Sequence, residues 1–591
     1  MVERRVVVPL VWVQFPVGTP LNNSYSAVIF FLWYNLIMAN NISQSEPLVA
    51  YLSMEIALEN KIKTYAGGLG VLAGDILRSA ADLKFPMVGI TLFNRAGYFK
   101  QIISDNGEQE AHPDKSDFLR LEKMSQVVAV DIGQEKVLVG VWRYLIKNEG
   151  GFNIPVYFLD TDLPGNTQAN RELSGVLYGG NEEYRLKQEI ILGRGGIKML
   201  EAIGHKNIKK IHLNEGHGAL AAVELFLSSR QAKEKDRLKE VRNKCVFTTH
   251  TPILKVQDIF SLPYLLSFQP DFPGSLSRLI KNNEINLTQT GFYFSGFINA
   301  VSAAHRREAR KNYENNRIQA ITNGVDSLSW TAPEFKELYD KHIPGWRADN
   351  SLLRKVEKIS AAEVWLAHQR AKRRLIDYIN KKQEIKLDYD IFTIAFARRF
   401  AVYKRPEFLF RDLNRLLKIN NERRLQLIYA GKAHPQDLEG RELVRKINLF
   451  SREISRNIKL VFLEDYDFEK AHLLTAGADL WLNNPLPPNE ASGTSGMKAA
   501  HNGIPQASTP DGWWPEGYKR NKTGWLIREK KDGEIYDLLE KEILPLYYDF
   551  PEKWRQLMVA VISLNASYFN AQRTLKQYMA KAYKLKGYLF G

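Results

Sequence analysis

Residues 391–397 read IFTIAFA, and residues 425–431 read LQLIYAG. Both runs are almost continuously apolar, without the alternation of a strand that has one face in water. Such runs are typical of strands buried on both faces, as in the parallel sheets of α/β proteins. The two runs therefore predict strands of a buried parallel sheet.

Further strand candidates precede and follow these two runs, and helical patterns such as 185–202 and 361–379 lie between them. An earlier series of candidates covers 48–52, 87–92, 154–159, 208–213, 245–249 and 318–321. The later series covers 391–396, 425–429, 458–462 and 478–482. This alternation predicts an α/β fold with two Rossmann-like, doubly wound domains.

Turn-forming residues cluster at 323–333 (NGVDSLSWTAP), which predicts a domain boundary there. We expect an N-terminal extension over 1–45, one Rossmann-like domain over 46–330, and a second over 331–591 that includes C-terminal helices. Ligands of such sheets bind beyond the carboxyl ends of the strands. The cleft between the two domains is therefore the predicted site.

Composition excludes several classes of protein. The chain has 591 residues with a single cysteine, Cys245, which excludes an internal disulfide and a Cys-based zinc site. One cysteine suits a reducing cytoplasm, although many secreted proteins also lack cysteine pairs. The formal net charge of +16 favours anionic partners, yet no Lys/Arg run forms an obvious nucleic-acid-binding arm. We expect a cytoplasmic protein that binds neither nucleic acid nor a membrane.

The N-terminal segment is unusual. Residues 27–38 (AVIFFLWYNLIM) are strongly apolar, but the run has only about twelve residues, against about 20 needed to span a bilayer. Arg4 and Arg5 lie too far upstream for a signal peptide, and no small-residue cleavage site follows the run. We expect no membrane anchor here. An extension read from a wrong, upstream start codon, with Met38 as the true start, explains the segment at least as well as a signal peptide does.

The segment 490–498 (EASGTSGMK) carries the clearest chemical signal. A glycine- and hydroxyl-rich loop that leads into a helix presents several backbone N–H groups together, which makes an anion site. Lys498 would lie in the first turn, as a point charge or as an amine that forms a Schiff base. Taken alone, the segment could equally be a Gly/Ser turn with a solvated lysine.

Two further segments point to phosphate. Residues 65–75 (YAGGLGVLAGD) form a glycine turn that opens a helix, a weak signal by itself. Residues 398–405 (RRFAVYKR) place four cations at the end of a predicted strand, where they would repel one another unless an anion or acidic groups lay between them. A phosphate held by Arg399 and Lys404 would relieve this repulsion; the alternative is a solvated basic helix start.

These segments, in this order, make the chain resemble the α-glucan phosphorylase family, in its short bacterial and archaeal branch. Matching segments extend from Tyr51 to about Trp525 and include YLSMEIALE, YAGGLGVLAGD, FNRAGYFKQ, LYGGNEEYRLKQEIILG, HLNEGHGAL, FTTHTP, ITNGVD, ARRFAVYKRP, FLEDYD and EASGTSGMKAAHNG. The resemblance implies a GT-B glycosyltransferase fold. It also implies that the first domain binds glucan and phosphate and that the second carries pyridoxal 5'-phosphate.

The resemblance also assigns roles to individual residues. Catalytic roles fall on Lys498, which would carry the cofactor, on Arg399 and Lys404, which would hold the substrate phosphate, and on His250 near the reacting end of the sugar. Cofactor binding falls on Lys498, Arg398, Thr494, Ser495 and Tyr466. Substrate binding falls on Gly67, Gly68, Glu490, Ser492 and Gly493. No metal is expected.

Other residues leave alternatives open. Glu215 and His217 in HLNEGH could act as an acid/base pair or as metal ligands, but lining or bracing the cleft is favoured because no third ligand has a recognisable spacing. Trp513 and Trp514 could stack on sugar rings or pack in the core. Asp467 departs from the long phosphorylases, which have an arginine there.

The implied reaction is retaining, reversible phosphorolysis of the non-reducing end of maltodextrin, glycogen or starch to α-D-glucose 1-phosphate. Its partners are the glucan, inorganic phosphate and glucose 1-phosphate, and a homo-oligomer is left open. We find no motif with the paired carboxylates of a glycosidase. One rival is a sugar-nucleotide glucosyltransferase such as a glycogen synthase; another is a basic binding protein with an inactive site.

Overall fold

The computed structural model describes residues 46–148, 150–252, 258–273, 279–528 and 533–585. The predicted N-terminal extension and Met38 lie outside these ranges. Within them, no helix has both the length and the apolar character needed to cross a bilayer.

Two large sheets organise the described residues. Strands of the first half are β1 Val49–Leu52, β2 Met87–Leu92, β3 Lys100–Ile103, β4 Gln109–His112, β5 Glu122–Ile132, β6 Glu135–Lys147, β7 Asn153–Asp160, β8 Lys210–Asn214, β9 Cys245–Thr249, β10 Ile259–Ser261, β11 Ile280–Lys281, β12 Glu284–Asn286, β13 Phe297–Ala300 and β14 Gln319–Ala320. Strands of the second half are β15 Phe392–Ala397, β16 Leu425–Ala430, β17 Leu460–Leu463, β18 Leu480–Asn483, β19 Gln506–Ser508 and β20 Gly524–Leu526.

The first sheet has the order β14–β13–β9–β8–β1–β2–β7–β6–β5. Pairing is parallel from β14 to β7, whereas β7, β6 and β5 pair antiparallel. The chain order reverses between β1 and β8, so the loops after these two strands leave the sheet on either side of a crevice. The long β5–β6 pair at the sheet edge was absent from the predicted strands.

The second sheet is parallel throughout, in the order β17–β16–β15–β18–β19–β20. This is the Rossmann strand order, with its switch point between β15 and β18. Every residue of β15 and of β16 is buried, which explains the continuous apolar runs that opened the sequence analysis. All the strands predicted in the two series are present, with ends shifted by two residues or fewer.

Helices cover both faces of the two sheets. In the first half the α-helices are Gly68–Asp82, Gln168–Arg171, Glu182–Ile190, Gly196–Ile203, Ala219–Leu227, Glu234–Lys244, Leu262–Phe268, Leu287–Phe294 and Ala303–Asn312. In the second half they are Ser327–Trp330, Pro333–His342, Ala361–Lys382, Leu413–Glu422, Leu438–Ile454, Phe468–Gly477, Ser495–Ala500, Trp514–Gly517, Glu534–Leu538, Leu544–Tyr548, Pro551–Val561 and Ala571–Tyr578. The wider turn Ile191–Gly195 lies inside the predicted helix 185–202.

The C-terminal helix Ala571–Tyr578 packs on the first sheet, although it follows the second sheet in the chain. Leu575 and Tyr578 belong to the same buried apolar cluster as Val49 and Tyr51 of β1. The Tyr583 hydroxyl lies 2.8 Å from Nδ1 of His212 on β8. This helix, which we expected to belong with the second domain, therefore completes the core of the first sheet. The domain boundary near 330 stays a prediction.

The hairpin β3–β4 extends from the first half onto the carboxyl ends of β16 and β17. Gln101 donates to the Gly431 carbonyl (2.9 Å), and Gln109 donates to the Ala433 carbonyl (2.9 Å). Asp465 returns a hydrogen bond from its backbone N–H to Gln101 Oε1 (2.8 Å). Both glutamines are almost fully buried, so the hairpin joins the two halves beside the second switch point.

Candidate active site

The switch point of the second sheet brings the basic segment 398–405 and the glycine-rich segment 490–498 together. Arg398 follows β15 directly, and Glu490 follows β18 through the turn at 484–489. Lys404 Nζ forms an ion pair with Glu490, and Arg398 Nη1 lies 3.8 Å from Glu490 Oε2. All three side chains are buried. The two segments, distant in the chain, thus form one charged cluster.

Glu490 supplies the acidic group that the basic segment requires. Burial alone would raise the pKa of its carboxyl, but Lys404, Arg398 and Arg399 together hold the pKa below its usual value. The ionised carboxylate offsets part of the repulsion among the cations. Glu490 itself is held by its backbone N–H, which donates to Asp511 Oδ2 (2.8 Å).

Two cations of the segment take different directions. Arg405 turns away from the cluster and donates to the carbonyls of Asn484 (2.8 Å) and Pro485 (3.2 Å), so it braces the turn before Glu490. Arg399 stays exposed at the cleft and interacts with Tyr98, which belongs to the first half, and with Tyr403. Arg399 is therefore the cation of this segment that a ligand in the cleft can reach most readily.

Arg398 is a buried cation with unused hydrogen-bond donors. Its Nε and Nη1 atoms are inaccessible to solvent, and neither has a hydrogen-bond partner among the described residues. Burial, the largest effect, lowers the pKa of the Arg398 guanidinium despite the nearby Glu490. Buried donors are normally satisfied, so a cation in this state points to an anionic ligand at this position. A phosphate group fits the donors that Arg398 offers.

The loop 492–495 follows Glu490, the carboxylate that lies near this cation. Ser492 is buried with an unpartnered Oγ, and Gly493 has a positive φ of 72° that favours glycine. Thr494 precedes the helix Ser495–Ala500 without forming a side-chain cap, and Ser495 Oγ accepts a hydrogen bond from Trp481 Nε1 (3.0 Å). The Thr494 hydroxyl and the first N–H groups of the helix are thus available for a ligand.

Lys498 is buried against the ring of Trp330. Its side chain is 7% exposed, and Nζ lies 3.9 Å from the centre of the Trp330 ring. Burial lowers the pKa of Lys498 to about 8, although the charge of Asp75 acts in the opposite direction. The Trp330 indole donates to Asp75 Oδ2 (2.9 Å) and so orients that carboxyl. An amine with this pKa is partly neutral near pH 7, as a nucleophilic lysine requires.

Gly67 and Gly68 begin the helix that carries Asp75. No atom lies within 4 Å of the position that a Cβ would take at either residue, so packing does not explain their small size. The turn instead faces open space, where a ligand could approach the backbone closely. Ala66 N (2.6 Å) and Gly67 N (3.1 Å) both donate to Glu55 Oε2, from the segment after β1.

His250 lies on the other side of the first switch point, after β9. Its Nε2 is 2.7 Å from Asn214 Oδ1, and its backbone N–H donates to Glu215 Oε2 (2.5 Å). Burial lowers the pKa of the His250 imidazole to about 3, so the ring is neutral at physiological pH. His250 is therefore held by the residues that follow β8. Among the described residues, it forms no hydrogen bond with Arg398, Lys404 or Glu490.

Tyr466 and Asp467 follow β17. The Tyr466 side chain is close enough to Arg398 for that cation to lower the pKa of its hydroxyl, although burial raises the pKa overall. Asp467 caps the helix Phe468–Gly477 by accepting from Lys470 N (3.0 Å), and it accepts from Asn60 Nδ2 (3.3 Å) of the first half. The residue that departs from the long phosphorylases thus has a capping role that an arginine could not fill.

Comparison of the sequence with known proteins identifies the family of this chain. Residues 274–514 match the family model for carbohydrate phosphorylase, and residues 56–324 match that for the starch synthase catalytic domain. The chain is 34% identical over 608 residues to the glycogen phosphorylase of Aquifex aeolicus, which covers 90% of this chain and 86% of the relative. The chain belongs to the carbohydrate phosphorylase family.

Two further relatives agree with this assignment. The maltodextrin phosphorylase of Thermococcus litoralis is 35% identical over 92% of this chain and 71% of its own length. The glycogen phosphorylase of Mycobacterium tuberculosis is 30% identical over 93% of this chain and 72% of its own length. The predicted resemblance, the GT-B fold and the class of enzyme, a glycosyltransferase of the phosphorylase type, are confirmed.

In this phosphorylase family member, several residues near the predicted site were missed from the sequence. Glu55 contacts the glycine turn, Asp75 and Trp330 surround Lys498, and Tyr98 reaches Arg399. Glu55 and Tyr98 lie within matched segments, YLSMEIALE and FNRAGYFKQ, which was the available signal. No local pattern distinguishes Trp330, because its neighbour Lys498 is far away in the chain.

The structure also answers the alternatives left open for the acidic and aromatic residues. Glu215 joins the loops after β8 and β9: it accepts from the N–H of Gly216 (3.2 Å) and of His250, and from Thr251 Oγ1 (3.2 Å). Trp513 and Trp514 are fully buried and pack edge-to-face at 5.4 Å between ring centres, so they belong to the core.

His217 lies in a separate cluster with two carboxyl groups. Its Nδ1 is 2.9 Å from Asp258 Oδ2 and 3.6 Å from Glu189 Oε1, so the three side chains are close enough to one another to surround a cation. Burial alone would lower the pKa of His217, but Asp258 and Glu189 raise it to about 10. A protonated His217, together with Arg185 at 2.7 Å from Asp258 Oδ1, already supplies positive charge here. The prediction that the enzyme uses no metal stays a prediction.

Proposed function

We propose that this protein catalyses the reversible phosphorolysis of α-1,4-glucan at its non-reducing end, with α-D-glucose 1-phosphate as the product. The observation that supports this most directly is the buried Arg398, whose unpartnered donors lie close to Glu490, at the start of the segment that ends in the buried Lys498. Both segments fall within 274–514, the range that matches carbohydrate phosphorylase. The substrates would be maltodextrin, glycogen or starch, and inorganic phosphate.

Residues from both switch points would hold each of the two substrates. Arg399, Lys404 and the backbone of Gly68 would bind the substrate phosphate. Glu490, with Ser492 and Gly493 of the same loop, would bind the hydroxyls of the terminal glucose. His250, neutral and oriented by Asn214, would contact the sugar near its reacting carbon.

Within this arrangement, the substrate phosphate would donate a proton to the glycosidic oxygen as the bond from that oxygen to C1 breaks. The glucosyl group passes through an oxocarbenium-like transition state. A phosphate oxygen then forms the new bond to C1 from the same face, so the α-configuration is retained. Arg399 and Lys404 would hold the phosphate in place and stabilise its charge, at a site where cations are already positioned before the reaction.

Pyridoxal 5'-phosphate is the cofactor we propose for the cluster around Lys498. Lys498 would hold it covalently, Arg398, Thr494 and Ser495 would bind its phosphate, and Tyr466 would pack beside it. When bound, the cofactor would supply a phosphate group that exchanges protons with the substrate phosphate. The unpartnered donors of Arg398 and the lowered pKa of Lys498 both fit this group.

Two manipulations of the cofactor test this function. Borohydride fixes the cofactor to Lys498 but leaves its phosphate in place, so a substantial fraction of the phosphorolysis rate should survive. Reconstitution of the cofactor-free protein with pyridoxal, which lacks the phosphate, should leave the enzyme nearly inactive. Loss of turnover after borohydride treatment, in protein that stays folded, would contradict the mechanism.

The choice of glycosyl donor separates this function from that of a starch or glycogen synthase. Glucan extension should proceed with glucose 1-phosphate and release inorganic phosphate. It should not proceed with UDP-glucose or ADP-glucose. The Lys498→Ala variant provides the control, since it should lose both the cofactor absorbance and the activity.

A further inference from the structure

The glycine turn at the start of the helix Gly68–Asp82 is held by one side chain. Glu55 Oε2 accepts from Ala66 N (2.6 Å) and from Gly67 N (3.1 Å). Glu55 is 3% exposed, and it follows β1 at the switch point of the first sheet. The two backbone N–H groups that lead into the helix therefore have their direction set by this carboxyl group.

A tyrosine fixes the other oxygen of the same carboxyl. The Tyr178 hydroxyl donates to Glu55 Oε1 (3.1 Å). Tyr178 has a positive φ of 56°, which a non-glycine residue adopts only where its surroundings hold it. The Arg185 guanidinium lies 5.0 Å from the centre of the Tyr178 ring. Tyr178 and Arg185 belong to LYGGNEEYRLKQEIILG, a matched segment to which the sequence assigned no site residue.

These contacts make the turn a rigid element rather than a flexible glycine loop. Glycines 67 and 68 have no side chains and no neighbours on their open side, so packing cannot hold them in place. Without an acceptor for these N–H groups, the peptide units of Ala66 and Gly67 could turn about the flexible φ and ψ angles of the glycines. The turn could then adopt several conformations. A backbone donor contributes to binding only when it already points at its ligand.

We propose that Glu55, oriented by Tyr178, is a positioning residue for the use of phosphate. It does not bind the substrate; it holds the glycine turn in the one conformation in which the Gly68 backbone faces the phosphate. The inference rests on the proposed function, because it takes Gly68 as part of the phosphate site.

Steady-state kinetics of Glu55→Ala test the proposal. The variant leaves the half-buried N–H groups of Ala66 and Gly67 without their acceptor, so KM for phosphate and for glucose 1-phosphate should rise by about tenfold or more. The KM for glucan and kcat at saturating phosphate should change by less than about threefold, because the groups that bind sugar and stabilise the transition state remain.

Two conservative variants separate positioning from a direct role. Glu55→Gln keeps an oxygen that accepts from both N–H groups, so KM for phosphate should return to within about threefold of the wild-type value. Tyr178→Phe removes only the hydroxyl and should raise the same KM by about threefold to tenfold. If Glu55→Gln were as impaired as Glu55→Ala, or if KM for glucan rose as much as KM for phosphate, the proposal would be overturned.

The same segment offers a matched control. Glu59, four residues after Glu55, accepts from the Tyr144 hydroxyl (2.5 Å) but does not contact the glycine turn. Glu59→Ala and Tyr144→Phe should leave KM for phosphate unchanged. Wild-type protein without phosphorolysis would refute the proposed function. An active wild type whose Glu55→Ala variant keeps its KM for phosphate would refute only this inference.

Discussion

At the scale of the residue, Lys498 shows how burial prepares a side chain for chemistry. Its pKa is lowered to about 8 by burial, and Asp75 partly offsets that effect. Only the neutral amine can attack the aldehyde of pyridoxal phosphate. In cofactor-free protein, the rate of cofactor attachment, followed by absorbance, should therefore rise with pH through about 8, well below the ordinary lysine value of 10.5.

The Asp75→Asn variant checks the sign of this prediction. The Asp75 carboxylate raises the pKa of Lys498, so its removal should lower that pKa and move the midpoint of the pH profile to lower pH. The asparagine can still accept the hydrogen bond from Trp330, so the local geometry should be kept. A midpoint that moved to higher pH would show that Asp75 acts in another way.

Arg399 and Lys404 carry the second prediction at this scale. Replacing either with alanine removes a charge-assisted contact worth about 2–4 kcal/mol in the transition state. Phosphorolysis at low phosphate should then slow by about 30-fold to 1,000-fold. Cofactor content, read from absorbance, should change much less.

The exposed Lys418, on the helix Leu413–Glu422, is a suitable control. Lys418→Ala changes the net charge of the protein by the same amount and should leave phosphate use unaffected. Near-normal rates at low phosphate in either the Arg399 or the Lys404 variant would refute the predicted substrate-phosphate site.

At the scale of the element, the hairpin β3–β4 connects the two halves beside the cation cluster. Replacing Gln101 and Gln109 with alanine would leave the buried carbonyls of Gly431 and Ala433 without their donors. Each unsatisfied carbonyl should lower the free energy of unfolding by about 1–3 kcal/mol. We expect a lower thermal midpoint and faster hydrogen exchange at residues 431–433.

The control for the hairpin lies on the same strand. Glu110 is exposed between the buried Gln109 and the end of β4, and Glu110→Ala should leave both measurements at their wild-type values. Unchanged exchange at 431–433 in the double glutamine variant would mean that the hairpin does not hold the strand ends in place.

At the scale of the whole molecule, the last helix, Ala571–Tyr578, shares a buried apolar cluster with β1, which lies more than five hundred residues earlier in the chain. Leu575 is fully buried against the first sheet, so Leu575→Ala should destabilise that sheet by about 2–5 kcal/mol. The measurement is limited proteolysis, which should cut within the first half more readily. The exposed Lys581→Ala variant is the control and should cut at the wild-type rate.

Much of the fold was predictable because parallel strands buried on both faces leave continuous apolar runs, such as those of β15 and β16. The pair β5–β6 was missed because it has no continuous apolar run. In β5, Glu122–Ile132, exposed residues alternate with less exposed ones. The candidate site was predictable where its residues are contiguous, as in 490–498. It was not predictable where a single side chain acts from a distance, as Glu55 does on Gly67.

The sequence alone therefore determined the class of fold, the family and the segments that carry the chemistry, because each depends on residues that are neighbours in the chain. Only the tertiary structure decided which charges meet. Lys404 pairs with Glu490 across 86 positions, and Trp330 contacts Asp75 across 255. Periodicity and motifs describe local geometry, whereas these pairs depend on how the sheets bring distant strand ends to one crevice. Burial then lowers the pKa of Lys498, whereas the cations brought to Glu490 hold the pKa of its carboxyl below the usual value.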